Sequence, residues 1–288
     1  MTKPLPAAAS PSCLTAADFA VLRLSGADAT RGLQGQLTCD VAALPPGATT
    51  PGAALTNKGR AFALFWLLKL AEESYVFVLN QGLGAVLTAQ LRQYLPFYKC
   101  RFSDACDGAM LLCVGAAPVA PTAATVVTLG TAPLATLLWL PCEAALAPLT
   151  AAFAPGSAER WLADALWLGH FPFALEDVER YTPQELRLDQ HGYVSYEKGC
   201  YTGQEIVARM HYRGTVKKHL CRLEFDELET ASGVTLHDAS GHEIGSVFKA
   251  LPLGAARWRA LAFLPVEALN TAALPQASAG RLYACAPL

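Results

Sequence analysis

Apolar and polar positions along this chain change period from one segment to the next, and each change marks an element. Residues 19–24 form a short apolar run of strand length. Gly26 turns the chain after it, and Asp28 stands where it can cap a helix reaching about residue 33. The polar text Leu33-Gln34-Gly35-Gln36-Leu37-Thr38-Cys39-Asp40 predicts the end of that helix and a loop carrying amide side chains. Pro45, Pro46, Gly47, Pro51 and Gly52 mark a connection. Residues 62–70 and 75–79 are both β-prone, with Glu72, Glu73 and Ser74 between them, which predicts a hairpin. Asn80 is then placed to cap a helix. Its apolar face is Leu83, Val86, Leu87, Leu91, Tyr94 and Leu95, a core stripe, and Pro96 ends it.

The pattern weakens over residues 115–157, which are rich in Ala, Pro, Thr and Leu and nearly free of charge. A strand around Val126, an apolar helix near 141–153 and a further helix over 161–168 are expected there. The character changes at Phe173. Residues 176–205 are dense in charge, amide and glycine, the composition of a working surface rather than a core. Beyond Lys217 the style becomes short strands: 219–225, then 234–236 and 244–248 about the turn Asp238-Ala239-Ser240-Gly241, then 259–264 and 282–285. That series predicts a small antiparallel β-barrel at the C-terminal end.

Composition narrows the class. A length of 288 residues predicts roughly two or three packed units, and 53% hydrophobic against 16% charged residues excludes a disordered chain. A formal charge of -2 gives no global field toward nucleic acid or membrane, so any anion site is a local patch. Pro4, Pro6 and Pro11 interrupt the first twenty or so residues, so no signal peptide is expected, and no apolar run is long enough to span a bilayer. Nine cysteines without a CxxC pair predict free thiols in a reducing cytoplasm, with Cys100, Cys106 and Cys113 as buried thiols and no metal site.

The densest candidate chemistry is Lys198-Gly199-Cys200-Tyr201-Thr202-Gly203-Gln204-Glu205. Thr202 and Glu205 have the spacing of a capping box, which makes Thr202 the expected N-cap of a short helix carrying Ile206, Val207 and Met210 on one side. Cys200 then lies just before a positive helix end, and Lys198 is placed to add a second cationic influence on the thiol. Gly199 and Gly203 permit close approach of a ligand. No His or Asp adjacent in sequence pairs with Cys200 as a general base; His211 and His219 follow further on. Between residues 198 and 222 stand six cations, Lys198, Arg209, Arg213, Lys217, Lys218 and Arg222, against the single acid Glu205. Such a segment suits either a solvated face or an anion site for a folate glutamate tail or RNA phosphates.

This octapeptide, continued by Ile206-Val207-Ala208-Arg209, is similar to the signature of the YgfZ family, which is related to the aminomethyltransferase (T-protein) of the glycine cleavage system. Three further blocks resemble that family in the right order: residues 33–41 its Gln-Gly-Gln block, Asn57-Lys58-Gly59-Arg60 its second block, and Pro183-Gln184-Glu185-Leu186-Arg187-Leu188-Asp189 its Pro-Gln segment. The resemblance covers nearly the whole chain except about 115–157. It implies an α+β, three-domain T-protein-like fold around a central folate-binding channel. The expected division is 1–48 with 155–212, then 49–154, then the barrel over 213–288. It also implies tetrahydrofolate or a one-carbon derivative as ligand. The implied role is support of iron–sulfur cluster assembly or repair and of iron–sulfur-dependent tRNA thiomethylation, with iron–sulfur enzymes or assembly proteins as partners. Cys200 is the expected working thiol. The expected ligand-binding set is Lys198, Gly199, Tyr201, Gly203, Gln204, Glu205, Arg209, Gln34, Gln36, Asn57, Lys58 and Trp167.

Two departures from the T-protein pattern bear on chemistry. Residues 81–87 hold no acid where those enzymes carry a catalytic Asp, and Trp167 aligns with their acidic pterin-binding residue. An accessory factor is therefore expected ahead of a tetrahydrofolate-dependent one-carbon transferase. A tRNA- or protein-binding module acting through residues 198–222 is the third reading.

Overall fold

The computed structural model describes residues 12–103, 109–114, 124–129, 135–140, 146–151, 153–166, 169–214, 217–254, 256–269 and 274–288. Cys106 and Trp167 lie outside the described residues. In chain order the elements are β1 (Ser12–Thr15), β2 (Phe19–Ser25), α1 (Ala29–Gln34), β3 (Thr49–Leu55), β4 (Ala61–Ala71), β5 (Ser74–Asn80), α2 (Leu83–Leu91), β6 (Arg101–Ser103), β7 (Ala109–Val114), β8 (Thr125–Leu129), β9 (Ala135–Leu140), α3 (Leu146–Thr150), β10 (Ala154–Pro155) and α4 (Ala158–Ala165). They continue with α5 (Gln204–Arg213), β11 (Lys218–Asp226), β12 (Thr235–His237), β13 (Glu243–Gly254), β14 (Arg257–Pro265), α6 (Val266–Leu269), β15 (Gln276–Ala277) and β16 (Arg281–Pro287). Residues 169–203 contain only short 3₁₀ turns and loops, so the densest polar text of the sequence is also the least regular backbone.

Three sheets form, in the orders β3-β4-β5-β2-β6, β10-β1-β7-β9-β8 and β15-β12-β13-β14-β11-β16. The hairpin β4–β5 is the hinge between the first two. Its side chains alternate between two cores: Tyr75, Phe77 and Leu79 enter one, and Val76 and Val78 the other. Trp66 and Leu68 of β4 join the second core, where Trp139 and Trp161 wait. A strand covered on both faces needs no polar positions, which is why residues 61–68 read as a continuous apolar run. Each fully buried large side chain in such a strand contributes about 1.5–3 kcal/mol.

The β4–β5 turn also serves α1. Glu73, with φ 54, reaches across so that its carboxylate accepts from the Thr30 N–H at 2.8 Å and the Thr30 hydroxyl at 2.7 Å. The expected cap, Asp28, holds the right position but spends its carboxylate on the Lys99 N–H at 3.0 Å. Asn80 likewise does not cap α2: Gly82, at φ 84, precedes that helix, and the Asn80 amide donates to Phe173 O at 2.9 Å. The helix ends at Leu91, so Tyr94 is 38% exposed instead of continuing the stripe; the chain turns into a 3₁₀ segment around Pro96. Among the described residues, the weak 115–157 region contains the expected strand β8, a further strand β9, and the helix α3 over Leu146–Thr150, within the expected 141–153 span.

The third sheet contains the strands foreseen beyond Lys217, with β12 and β13 joined by a turn in which Asp238 accepts from the N–H groups of Ser240 and His242. Arg259 ties this sheet to the rest. Its buried guanidinium donates to Glu224 (2.8 Å), Asp164 (2.6 Å) and Ala163 O (2.9 Å), placing a cation at the C-terminal end of α4. Lys249 makes a second tie, to Asp177, to Glu176 at 3.2 Å and to Pro172 O at 3.1 Å.

Candidate functional site: a cysteine loop and an aromatic cavity

Cys200 sits in an irregular loop whose path is fixed by its neighbours. Helix α5 begins one residue later than the capping-box spacing predicts. Gly203 is its N-cap at φ 82, and no side chain caps the helix. Thr202 faces the other way: its N–H donates to Gly35 O and its hydroxyl to Gln36 Oε1, both at 3.1 Å. The physical reason is the left-handed backbone at Gly203, which turns the chain before Thr202 can reach the first helical amides. Glu205 remains as an exposed acid on the first turn, the favourable end for negative charge.

Lys198 corrects a second expectation. Its ammonium does not turn toward the thiol. It is buried and donates to three main-chain carbonyls, Gln34 O and Leu37 O at 2.7 Å and Cys39 O at 2.8 Å. Three donors meet three acceptors, which is the full capacity of an ammonium. The ring of Tyr201 lies 5.2 Å from the same nitrogen. Burial pushes the Lys198 pKa down to about 8. Tyr201 is itself buried with its hydroxyl unpaired, and burial raises that hydroxyl's pKa.

Two glycines complete the clamp. A methyl group on Gly203 would stand 2.6 Å from Thr56 O, and one on Gly59 would stand 2.8 Å from Ile206 Cβ. The turn carrying Asn57 and Lys58 is thus pressed against the start of α5, with both of those side chains exposed. Arg60 reaches Arg180 O and Glu185, and Gln184 donates to Val207 O at 2.8 Å. All four blocks singled out in the sequence therefore meet around the first turns of α5. Within that set, Gln36 bonds Thr202, Gln204 is half-buried and Arg209 is exposed. Gln34 is different: its side chain serves its own loop, through Asp40 and the N–H groups of Val41 and Ala42. Gly199 is exposed with open space where a side chain would be.

Cys200 is the exposed thiol among the described cysteines. Cys13, Cys39, Cys113 and Cys221 are buried, and Cys100 and Cys285 are half-buried. Burial pushes Cys39 and Cys113 up to about 12, which leaves them inert as nucleophiles near neutrality. His211 stacks on Tyr196, and His219 lies 3.0 Å from an Arg187 nitrogen. The basic segment also resolves: Lys198 is turned inward and Arg222 donates to Leu166 O, while Arg209, Arg213, Lys217 and Lys218 are exposed.

A second feature was not legible in the sequence. Between β4, β5 and α4 lies a cavity of about 30 Å³, lined by Trp66, Asn80, Trp161, His170, Phe171 and Tyr193 among others. No residue of the cysteine octapeptide lines it. The indole N–H of Trp66 is buried with no hydrogen-bond partner among the described residues. His170 packs edge-on to Trp66 at 4.9 Å, and its Nδ1 lies 2.6 Å from the Tyr193 hydroxyl. Burial, and then the nearby His191, hold the His170 pKa down at about 4. The signal available in the sequence was His170 itself, just after the 166–169 segment aligned with pterin binding.

No family profile matches the chain. Individual proteins do. The tRNA-modifying protein YgfZ of Edwardsiella ictaluri is 30% identical over 227 residues, covering 70% of this chain and 68% of that protein. The chain belongs to the YgfZ family. The YgfZ of Aliivibrio fischeri is 29% identical over 274 residues, covering 86% of this chain and 83% of its own length. An uncharacterized protein of Haemophilus influenzae is 27% identical over 247 residues, with coverages of 83% and 84%. Among solved structures, the glycine cleavage system aminomethyltransferase T of Bartonella henselae superposes with a TM-score of 0.67 at 16% identity, covering 98% of this chain and 86% of that one. The fold is therefore T-protein-like, and the relation expected between the YgfZ signature and that fold holds. No helix among the described residues is long and apolar enough to cross a membrane.

Proposed function

We propose that this protein is a folate-binding accessory factor in the cytoplasm that supports iron–sulfur cluster assembly or repair and iron–sulfur-dependent tRNA modification, with Cys200 as its working thiol. One observation carries the reading: four separate sequence blocks converge to hold a loop whose exposed group is Cys200. A loop held by a buried ammonium and two close glycine contacts is built for position, and the thiol it presents is accessible to a macromolecular client. The YgfZ relatives, known as tRNA-modifying proteins, support tRNA modification as the process. In this reading the third sheet closes as a barrel beside a central channel.

The aromatic cavity is the candidate folate subsite. Its rings and unpaired indole donor suit a flat heteroaromatic group with an acceptor edge. The fit is one of chemistry: about 30 Å³ has room for water, so the walls must part for a pterin. Trp66 and Asn80 would orient the ring, and Trp161, His170 and Phe171 would exclude water. Bound tetrahydrofolate would supply a one-carbon carrier. With no carboxylate in the described lining and none in residues 81–87, the base needed for aminomethyl transfer lacks a candidate there, which favours accessory factor over transferase.

The test pairs calorimetric titration of tetrahydrofolate with complementation of a strain defective in an iron–sulfur enzyme. Cys200→Ala is expected to bind folate like the parent and to fail complementation. Full rescue by Cys200→Ala removes the thiol's role, and undetectable folate binding by the parent removes the ligand.

A further inference from the structure

The last turn of α5 carries an arrangement that the cysteine loop does not explain. His211 lies face to face on Tyr196, with ring centroids 3.8 Å apart and planes 23° from parallel. Tyr212 stands edge-on to His211 at 4.8 Å and 83°, and is 72% exposed. Arg209 and Arg213 flank these rings on the same helix, and Lys217 and Lys218 follow on the chain after Gly214; all four are exposed. Acids near this segment include Glu205, at the opposite end of α5, Asp189, near the Tyr196 hydroxyl, and the exposed Glu197, next to Tyr196 in sequence.

We propose that Tyr196, His211 and Tyr212, with Arg209, Arg213, Lys217 and Lys218 around them, form a platform on which unpaired bases of an RNA strand stack. The inference rests on the reading above that the protein works on tRNA, and it assigns the contact surface and the form of RNA recognised. Two observations meet here. Four exposed cations within ten residues of chain match a phosphate backbone, which carries charge and no sequence information. Exposed rings, one of them already stacked on its neighbour, match base faces, which only single-stranded or splayed-out nucleotides offer. An acidic peptide would satisfy the cations and leave the rings without a role. A duplex would satisfy the cations and keep its bases out of reach.

The experiment measures binding by fluorescence anisotropy, using a labelled mixed-sequence single-stranded RNA of about twelve nucleotides, its duplex, and an abasic strand of equal length. Tyr212→Ala is expected to weaken single-strand binding about five- to fiftyfold while leaving duplex and abasic binding unchanged. Tyr212→Phe keeps a stacking ring and should bind as the parent does, which separates stacking from a folding defect. Lys217→Ala with Lys218→Ala should weaken all three probes and lower the salt slope by roughly 1.4 on the single strands and roughly 1.8 on the duplex. If the lysine pair weakens binding and Tyr212→Ala binds every probe normally, the tRNA reading stands and the stacking platform falls. If the parent binds none of the probes, the platform is overturned, while the accessory role is judged by complementation. If a polyglutamate peptide competes fully and its binding also depends on Tyr212, the surface belongs to an acidic protein partner and the inference is overturned.

Discussion

The cysteine loop and the aromatic cavity are held by opposite means. Beside Cys200 the loop has one apolar anchor, the buried ring of Tyr201, and the rest of its hold is polar. It is fixed by main-chain carbonyls around Lys198, by the Thr202 contacts, and by glycines too close for any side chain. The cavity is fixed by rings, and among its described lining residues the Trp66 N–H is an unmet donor. The contrast separates two jobs. Carbonyl and ammonium contacts are directional, so they fix where the exposed Cys200 stands. In the proposed reading, the ring-lined cavity would part to admit a ligand. The two places share no lining residue among those described, and each can therefore be damaged without the other.

The largest expected effect is on the loop. Lys198→Met removes the donor from three carbonyls, two of them buried, and should cost roughly 3–5 kcal/mol of stability, since each unmet buried acceptor costs about 1–3 kcal/mol. Chemical denaturation would show it, and a loss below about 1 kcal/mol would mean the carbonyls find water. The cavity's counterpart is a pH effect. The folded His170 pKa of about 4 lies below its ordinary 6.5, so above pH 6.5 both folded and unfolded chains hold it neutral. As pH falls below 6.5, the unfolded chain takes up a proton that the folded chain refuses until about pH 4. Stability should decline across that window by up to roughly 3 kcal/mol from this group, and the lowered pKa of His191 acts in the same sense. His170→Asn should flatten the acid limb; an unchanged limb would place the pH sensitivity elsewhere.

How far the sequence showed this depends on the range of each interaction. The hairpin β4–β5 and the strands of the third sheet follow from local apolar period and turn residues, and they formed as read. The helix caps did not, because each cap was decided by a distant partner. Glu73 displaced Asp28, Phe173 O drew off Asn80, and Gly35 and Gln36 drew off Thr202. Lys198 was misjudged for the same reason: its neighbour in sequence is the thiol, but its partners are about 160 residues away. The motif blocks found Cys200 and the elements that hold it. The cavity left little trace, since Trp66 sits inside an apolar run and looks like any other core residue.

A pair of glycines sharpens the loop's side of the comparison. Gly203→Ala combines a left-handed backbone with a 2.6 Å approach to a carbonyl oxygen, and should cost about 2–3 kcal/mol. Gly199→Ala meets open space and should stay within about 0.5 kcal/mol of the parent. Both lie within the same octapeptide, so equal effects in thermal unfolding would show that the loop is not clamped at Gly203 at all.

The smallest expected change in stability tests the cavity most directly. Trp66→Phe keeps an aromatic ring and removes the unpaired N–H. Lost contact area and the relief of a buried donor without a partner are each worth about 1 kcal/mol and oppose one another, so the melting point should barely move. Ligand binding should move more. If the indole donates to a folate ring, its removal weakens tetrahydrofolate by about tenfold, the worth of one hydrogen bond in a closed site. Cys200→Ala, in the loop, should leave that affinity untouched. A Trp66→Phe protein that binds folate as tightly as the parent would move the ring site out of this cavity, while a folate affinity that falls with Cys200→Ala instead would join the two places that the structure keeps apart.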